Sequence, residues 1–202
     1  MYRLLFIIGK HTKCYLRLIL LRIRLCNWKI NRLIKSKLYG ESTIIDSIKK
    51  LDKQLVLPAM RILNAKIGKN CDIETGITFH NCTDFSRLEI GSNVHIGKNC
   101  FFDLRDKIVI GSNCTISMGT TIITHQDMGK SNLNILYPST KKEVIIGDNV
   151  YVGANSIILM GTVIGNETII AAGSLVKGVL KSNSIYAGIP AKWIKSTKTA
   201  NI

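Results

Sequence analysis

From residue 90 onward an aliphatic residue or phenylalanine recurs every six positions. Ile90, Ile96 and Phe102 come first, then, after a two-residue slip, Ile110, Ile116 and Ile122. After a gap as long as four hexads the run resumes as Ile146, Val152, Ile158, Ile164, Ile170 and Val176, and an earlier start is visible at Ile67, Ile73 and Phe79. Two further columns keep the same step. Gly or Ala follows the aliphatic directly, as in Gly68, Gly91, Gly97, Gly111, Gly147, Gly153, Gly165 and Ala171. A small or β-branched residue comes four after it, as in Cys71, Val94, Cys100, Cys114, Thr120, Val150, Ser156, Thr162, Thr168 and Ser174. A step of six matches neither the helical period nor the strand period. It matches one short strand plus one turn, repeated, so that three such faces close a triangular coil of about 18 residues. The large aliphatic points into the prism, the small residue fills beside it, and glycine is expected at the corner, where the chain bends sharply. A single coil cannot bury its own face, so the coils must stack.

Residues 128–143 (MGKSNLNILYPSTKKE) break the hexad pattern. They are polar, hold Gly129 and Pro138, and are expected to leave the prism as a protruding loop. A long excursion inside a regular solenoid is more often functional than accidental. Upstream, Leu18, Leu21, Leu25 and Trp28 fall at helical spacing among Arg17, Arg24 and Lys35, which predicts a basic amphipathic helix over 14–38. A second short helical pattern covers 43–56. The expected organisation is thus a basic, largely helical segment over 1–58, a mainly β solenoid over 59–190, and a tail over 191–202.

Charge sharpens this division. Of the 28 Lys and Arg, residues 1–53 hold 13 against 3 Asp and Glu, and the remainder hold 15 against 10. A basic arm therefore precedes a milder body, and the formal net charge of +15 attracts polyanions. The arm either docks on an anionic membrane surface or caps the open end of the solenoid and pads an oligomer. No transmembrane span is expected, because Arg17, Arg22 and Arg24 interrupt the apolar residues of 14–28, and the stretch from Leu4 to Ile8 is too short for a secretory signal. The six cysteines (14, 26, 71, 82, 100 and 114) form no C-x-x-C pair and read as reduced thiols of a cytoplasmic protein, with Cys71, Cys100 and Cys114 as core fillers.

The segments NCFFDLRDKIVIGSNCTIS (99–117), TTIITHQD (120–127), VIIGDNVYVGANSIILMGTVIGNETIIAAGSLV (144–176) and YAGIPAKWIK (186–195) resemble the hexapeptide-repeat acyltransferases. More narrowly they resemble the sugar O-acetyltransferases of capsule, O-antigen and exopolysaccharide synthesis. The resemblance implies a left-handed parallel β-helix, a homotrimer with active sites between subunits, acetyl-CoA as acyl donor, and a sugar or polysaccharide-precursor hydroxyl as acceptor.

Acyl transfer from a thioester to an alcohol needs a base for the hydroxyl proton, donors for the tetrahedral oxyanion, and alignment of the two substrates. His125, immediately before the irregular segment, is suited to be the base and matches the family's catalytic histidine. Asp103 could orient its imidazole as the carboxylate of a triad does. The resemblance also implies an oxyanion donor at the backbone N–H of Ala154, and an acceptor end lined by Asn99 and Asp103, although Asn99 equally suits a turn. It places coenzyme A along Ala154, Ala172 and Gly173, with Lys177, Lys192 and Lys195 near its phosphates. Tyr151 stands where the family commonly has Trp, and Lys177-Gly178 replaces a usual Thr-Lys pair. Transfer is expected to be direct, since no Ser or Cys occupies an evident nucleophile position beside His125.

Other functions make different demands. A zinc enzyme on this fold needs three histidines, two of them close in sequence, whereas His80, His95 and His125 are 15 and 30 apart, so no metal is expected. Nucleic-acid binding lacks an aromatic platform or a reading helix. An N-acyltransferase acting on an amino sugar, and a non-catalytic scaffold that binds polyanions, stay open.

Overall fold

A computed structural model describes residues 16, 18–31, 34, 45 and 47–198 of the chain. They fall into two units divided before Ile45. In the first, residues 18–31 are helical, within the helix expected over 14–38. Most of residues 32–44 lie outside the described residues. The second helical pattern is not one helix over 43–56. The chain turns at 49–50 and a helix runs over Lys53–Ile62 instead. It buries Leu55, Val56, Ala59 and Met60, the i, i+1, i+4, i+5 face that anchors it. The Arg61 guanidinium donates to the Ile67 and Gly68 carbonyls, which fixes this helix to the first coil.

The rest is a mainly β solenoid of short parallel strands, a parallel β-helix whose three faces follow the hexad columns. Ile67, Ile90, Ile110, Ile146, Ile164 and Leu180 stack in register on the first face. Ile73, Ile96, Ile116, Val152, Ile170 and Tyr186 stack on the second. Phe79, Phe102, Ile122, Ile158 and Val176 stack on the third. Except for Ile67, every one of these is buried. The small column fills the corners of the prism. The Cys100 and Cys114 thiols donate to backbone carbonyls, and burial pushes the Cys100 thiol up to about 11. That is the behaviour of a core filler.

The glycine column proves to have a different role from the one its sequence suggested. The bend is made two residues later, where the backbone is left-handed: Asn93, Asn113, Asn149, Glu167 and Asn183 at one corner, and Gly76, Asn99, Gly119, Asn155 and Gly173 at the next. The glycines that directly follow the aliphatic are needed for close approach between coils. A Cβ on Gly97 would lie 2.5 Å from the Met118 backbone nitrogen, and one on Gly153 would lie 2.4 Å from that of Ala172.

The excursion also begins earlier than residue 128. The chain leaves the prism at Thr124 and runs out as strand His125–Gln126. It passes a 3-10 turn at Asn132–Ile135 and returns as strand Thr140–Lys141, antiparallel to the first. Strand Thr121–Ile122 pairs directly with Ile157–Ile158, so the gap between Ile122 and Ile146 is a single hexad step with the excursion inserted into it, rather than four regular hexads. At the other end, residues expected in a tail form strand Ala191–Ser196, which folds back antiparallel on Ser184–Gly188 and extends the second face.

Candidate active site

Strand Phe101–Asp103 points Phe101 outward and Phe102 into the core. By the two-residue alternation Asp103 should face solvent, yet it is 1 % exposed. The cause is the excursion: as the chain leaves the prism, Thr124 and His125 pass over the Asp103 carboxylate and cover it. Four donors converge there. His125 Nδ1 lies 2.6 Å from Asp103 Oδ2, the Thr124 N–H and hydroxyl each reach the same oxygen at 2.9 Å, and Asn81 Nδ2 donates to Oδ1 at 2.7 Å. Burial alone would raise the pKa of this carboxyl. The hydrogen bonds from His125, Asn81 and Thr124 outweigh burial and lower it to about 2.

The tautomer of His125 follows from this network. An ionised Asp103 can only accept, so His125 Nδ1 carries a proton, and in the neutral imidazole the free lone pair is then on Nε2. That is the form a general base requires. The imidazole is 19 % exposed, enough for contact with a substrate, and the dyad fixes its orientation.

A further tier holds the dyad. Arg105 donates to Asn81 Oδ1 at 3.3 Å and to Asp127 Oδ2 at 3.1 Å, and Asp127 Oδ1 accepts from Gly129 N–H at 2.8 Å. Arg105 thus ties the coil that carries Asn81 to the outgoing arm of the excursion. The Asp106 N–H donates to the Thr124 hydroxyl oxygen, which directs that hydroxyl's own proton toward Asp103. Asn81, Thr124 and Arg105 were not singled out from the sequence. Asn81 sits 22 residues before Asp103, one irregular coil earlier, and is found only once strand Thr78–His80 is paired with Phe101–Asp103. His80, exposed and 3.9 Å from Asp103 Oδ1, stands on the same margin. His95 instead contacts Asp72 at 3.0 Å on another face.

The other expected residues separate into groups. Asn99 is exposed at a corner with φ 57°, four residues and roughly 13 Å of strand from Asp103. Its left-handed turn accounts for an asparagine there. Ala154, Ala172 and Gly173 occupy the same corner in successive coils, where the Gly173 N–H donates to the Ala154 carbonyl at 2.8 Å. A Cβ at Gly173 would meet open space, so this corner offers an accessible, small-residue edge. Lys192 lies on the folded-back strand opposite Ala187. The Gly188 N–H donates to Ser174 Oγ, which brings that hairpin beside the edge. Lys177 follows on the next corner, and Lys195, opposite Ile185, belongs to the second face. All three lysines are exposed.

A polar depression of about 520 Å³ opens beside the dyad, lined by Asn81, Thr83, Asp84, Ser86 and Arg87 among others. It reaches the dyad through Asn81 and is lined by neither Asp103 nor His125, and a second depression, about 630 Å³ around Arg61, Lys66 and Glu89, lies apart from both. Among the described residues no group of His, Cys, Asp and Glu is arranged to hold a metal ion.

Residues 143–178 match the family described as bacterial transferase hexapeptide (six repeats), and residues 87–123 match the hexapeptide repeat of succinyl-transferase. These two stretches carry the hexapeptide repeat of bacterial transferases. It is 30 % identical over 142 residues to the galactoside O-acetyltransferase of Escherichia coli (strain K12), covering 65 % of this chain and 63 % of that enzyme. The matched stretch therefore spans somewhat less than two thirds of that relative. Its fold resembles the maltose O-acetyltransferase of Clostridium difficile 630, with a TM-score of 0.63, 26 % identity, and coverage of 81 % of this chain and 87 % of that one. It also resembles an N-acyltransferase from Bacillus cereus solved in complex with dTDP and 3-hydroxybutyryl-CoA. There the TM-score is 0.54 and the identity 26 %, with coverage of 66 % and 72 %.

Proposed function

We propose that this protein transfers an acetyl group from acetyl-CoA to a hydroxyl of a sugar in surface polysaccharide synthesis, with His125 as general base. The observation that carries this reading is the buried Asp103 carboxylate, held by four donors, which holds His125 by Nδ1 and supports Nε2 as the basic nitrogen. In the proposed step Nε2 takes the acceptor hydroxyl proton as the oxygen attacks the thioester carbonyl. The oxyanion forms beside the Ala154 N–H, collapse breaks the C–S bond, and the thiolate of coenzyme A takes the proton from the imidazolium. Direct transfer is favoured because the hydroxyl nearest the dyad, Thr124, is buried and already committed to Asp103. The edge formed by Ala154, Ala172 and Gly173 suits the pantetheine arm, and Lys192 and Lys177 suit the phosphates. The polar depression at Asn81 has the size and hydrogen-bonding character that a sugar acceptor needs.

Likeness to O-acetyltransferases supports a hydroxyl acceptor. Likeness to an N-acyltransferase keeps an amino sugar as the second reading, on the same base. We further propose that the active form is a homotrimer in which a neighbouring subunit completes the cleft.

Calorimetric titration of acetyl-CoA into the wild type and into His125→Ala tests the donor. Binding near one site per chain in both proteins is expected. A panel of sugars and amino sugars, followed by release of free coenzyme A thiol, then tests the chemistry, with His125→Ala slower by about 10²–10⁴. Absence of acetyl-CoA binding, or full activity in the variant, would refute the assignment.

A further inference from the structure

The helical segment ahead of the solenoid carries chemistry that acyl transfer does not use. At 100° per residue, Leu16, Ile19, Ile23, Ile30 and Ile34 line one stripe, and each is 43–62 % exposed. On the opposite side Leu21, Leu25 and Trp28 are half-buried, while Leu18 there and Leu20 at the edge of the first stripe are also exposed. The exposed stripe is flanked by cationic positions about 100° to either side, Arg22 and Lys29 on one and Arg24 on the other. Five branched aliphatic side chains held in water on one helix face require a partner.

The charge of the segment selects that partner. Residues 1–40 contain ten Lys and Arg and no Asp or Glu. A second copy of the helix would bring like charges along both flanks of the stripe, which disfavours self-association. A nucleic acid would satisfy the cations and leave the aliphatic stripe wet. An anionic lipid surface satisfies both at once, because the stripe enters the acyl boundary while arginine and lysine stay level with the headgroups. None of the described helices is long and apolar enough to cross a bilayer.

We propose that the helical residues between 16 and 34 form an interfacial face that docks this protein on an anionic membrane surface, with Leu16, Ile19, Ile23, Ile30 and Ile34 inserted. The test is flotation of the full-length protein with phosphatidylcholine vesicles, prepared with and without admixed phosphatidylglycerol. The wild type should float with the anionic vesicles, remain behind with the neutral ones, and be released by high salt. Arg22→Gln with Lys29→Gln should weaken partitioning about fivefold for each charge removed. Ile19→Ser with Ile23→Ser and Ile30→Ser should abolish it. Light scattering should give all variants the wild-type mass, and acyl transfer to a soluble acceptor should be unchanged, since the dyad takes no part. Failure of the wild type to float, or equal flotation of the charge variant, would overturn the proposal. A fall in oligomeric mass in the serine variant would also overturn it, because the stripe would then be a self-interface.

Discussion

Replacing Asp103 with Asn changes one buried charge and almost no volume, so it isolates what the carboxylate does. The pKa of Asp103 falls from 3.8 to about 2 on folding. At 1.36 kcal/mol per pH unit, its ionised form contributes about 2 kcal/mol to stability at neutral pH. A lowered carboxylate pKa gives stability that is complete above the unfolded value and vanishes as pH falls through the folded value, here between about pH 4 and pH 2. The variant amide brings a second penalty. It offers one accepting oxygen and two N–H groups to a site that presents only donors. If its oxygen takes the place of Oδ2, its NH2 opposes the Asn81 NH2. If its NH2 takes that place, it opposes the Thr124 N–H and forces His125 into the tautomer that leaves Nδ1 basic and Nε2 protonated. An opposed pair costs on the order of 1–3 kcal/mol. Urea unfolding at one fixed protein concentration should therefore place Asp103→Asn about 3–5 kcal/mol below the wild type at pH 7. The difference should narrow by about 2 kcal/mol at pH 2, as the wild type protonates. Acyl transfer should fall by up to about 10⁴ with acetyl-CoA affinity retained, as when a triad loses its aspartate. Equal stability at pH 7, or a difference that does not change with pH, would refute an ionised Asp103 held by converging donors.

Three other perturbations probe the scaffold and its neighbours. Asn81→Ala removes one donor to Asp103 and the Arg105 acceptor, and should lower the rate of transfer while sparing acetyl-CoA binding, read by steady-state kinetics beside calorimetry. Ile116→Ala empties a fully buried position in the second stack and should destabilise by about 2–5 kcal/mol in the same urea assay. Alkylation of the native protein at neutral pH, mapped by peptide mass, should modify exposed Cys26 and spare buried Cys100, whose thiol is raised to about 11. Modification of Cys100 at the rate of Cys26 would contradict its placement.

The solenoid was legible because its periodicity is written in many residues at once. Each hexad aliphatic from Ile73 onward became a buried rung, and successive members of that one column fell in turn on the three faces. The corners were misplaced by two residues, for a physical reason. Glycine is selected both for left-handed turns and for close backbone approach, and in this chain asparagine takes much of the first role while glycine serves the second. The site was legible in part. His125 stands at a visible break in the pattern, and Asp103 is a carboxylate one coil earlier. Asn81 was hidden because its coil, from Ile67 to its rung partner Ile90, is longer than three hexads, so no fixed period aligns it with Asp103. Asn99 carried an ambiguous signal, since the residue type that binds a substrate also turns a corner.

The excursion explains how an ionised carboxylate can be buried against an imidazole on so regular a frame. A bare hexad coil exposes the outward side chains of each strand evenly, and a carboxylate at such a position titrates near its ordinary value in water. Inserting a chain segment at Thr124 covers one of these positions, so that Asp103 becomes buried without leaving its strand. Burial alone would have raised its pKa. The same segment brings the Thr124 N–H and hydroxyl and the imidazole itself, and the preceding coil brings Asn81, so the charge is retained where water is excluded. The stacked coils set the position of Asp103, and Arg105 ties the outgoing arm to the Asn81 turn. The imidazole is therefore held between two elements that are each fixed to the prism, and the remaining freedom lies in the outer part of the excursion, where Leu133, Ile135, Leu136 and Tyr137 are exposed. Changes in that outer part should alter which acceptor is used while leaving the basicity of His125 Nε2 to the dyad, a separation that repeated rounds of loop variation on one scaffold would exploit.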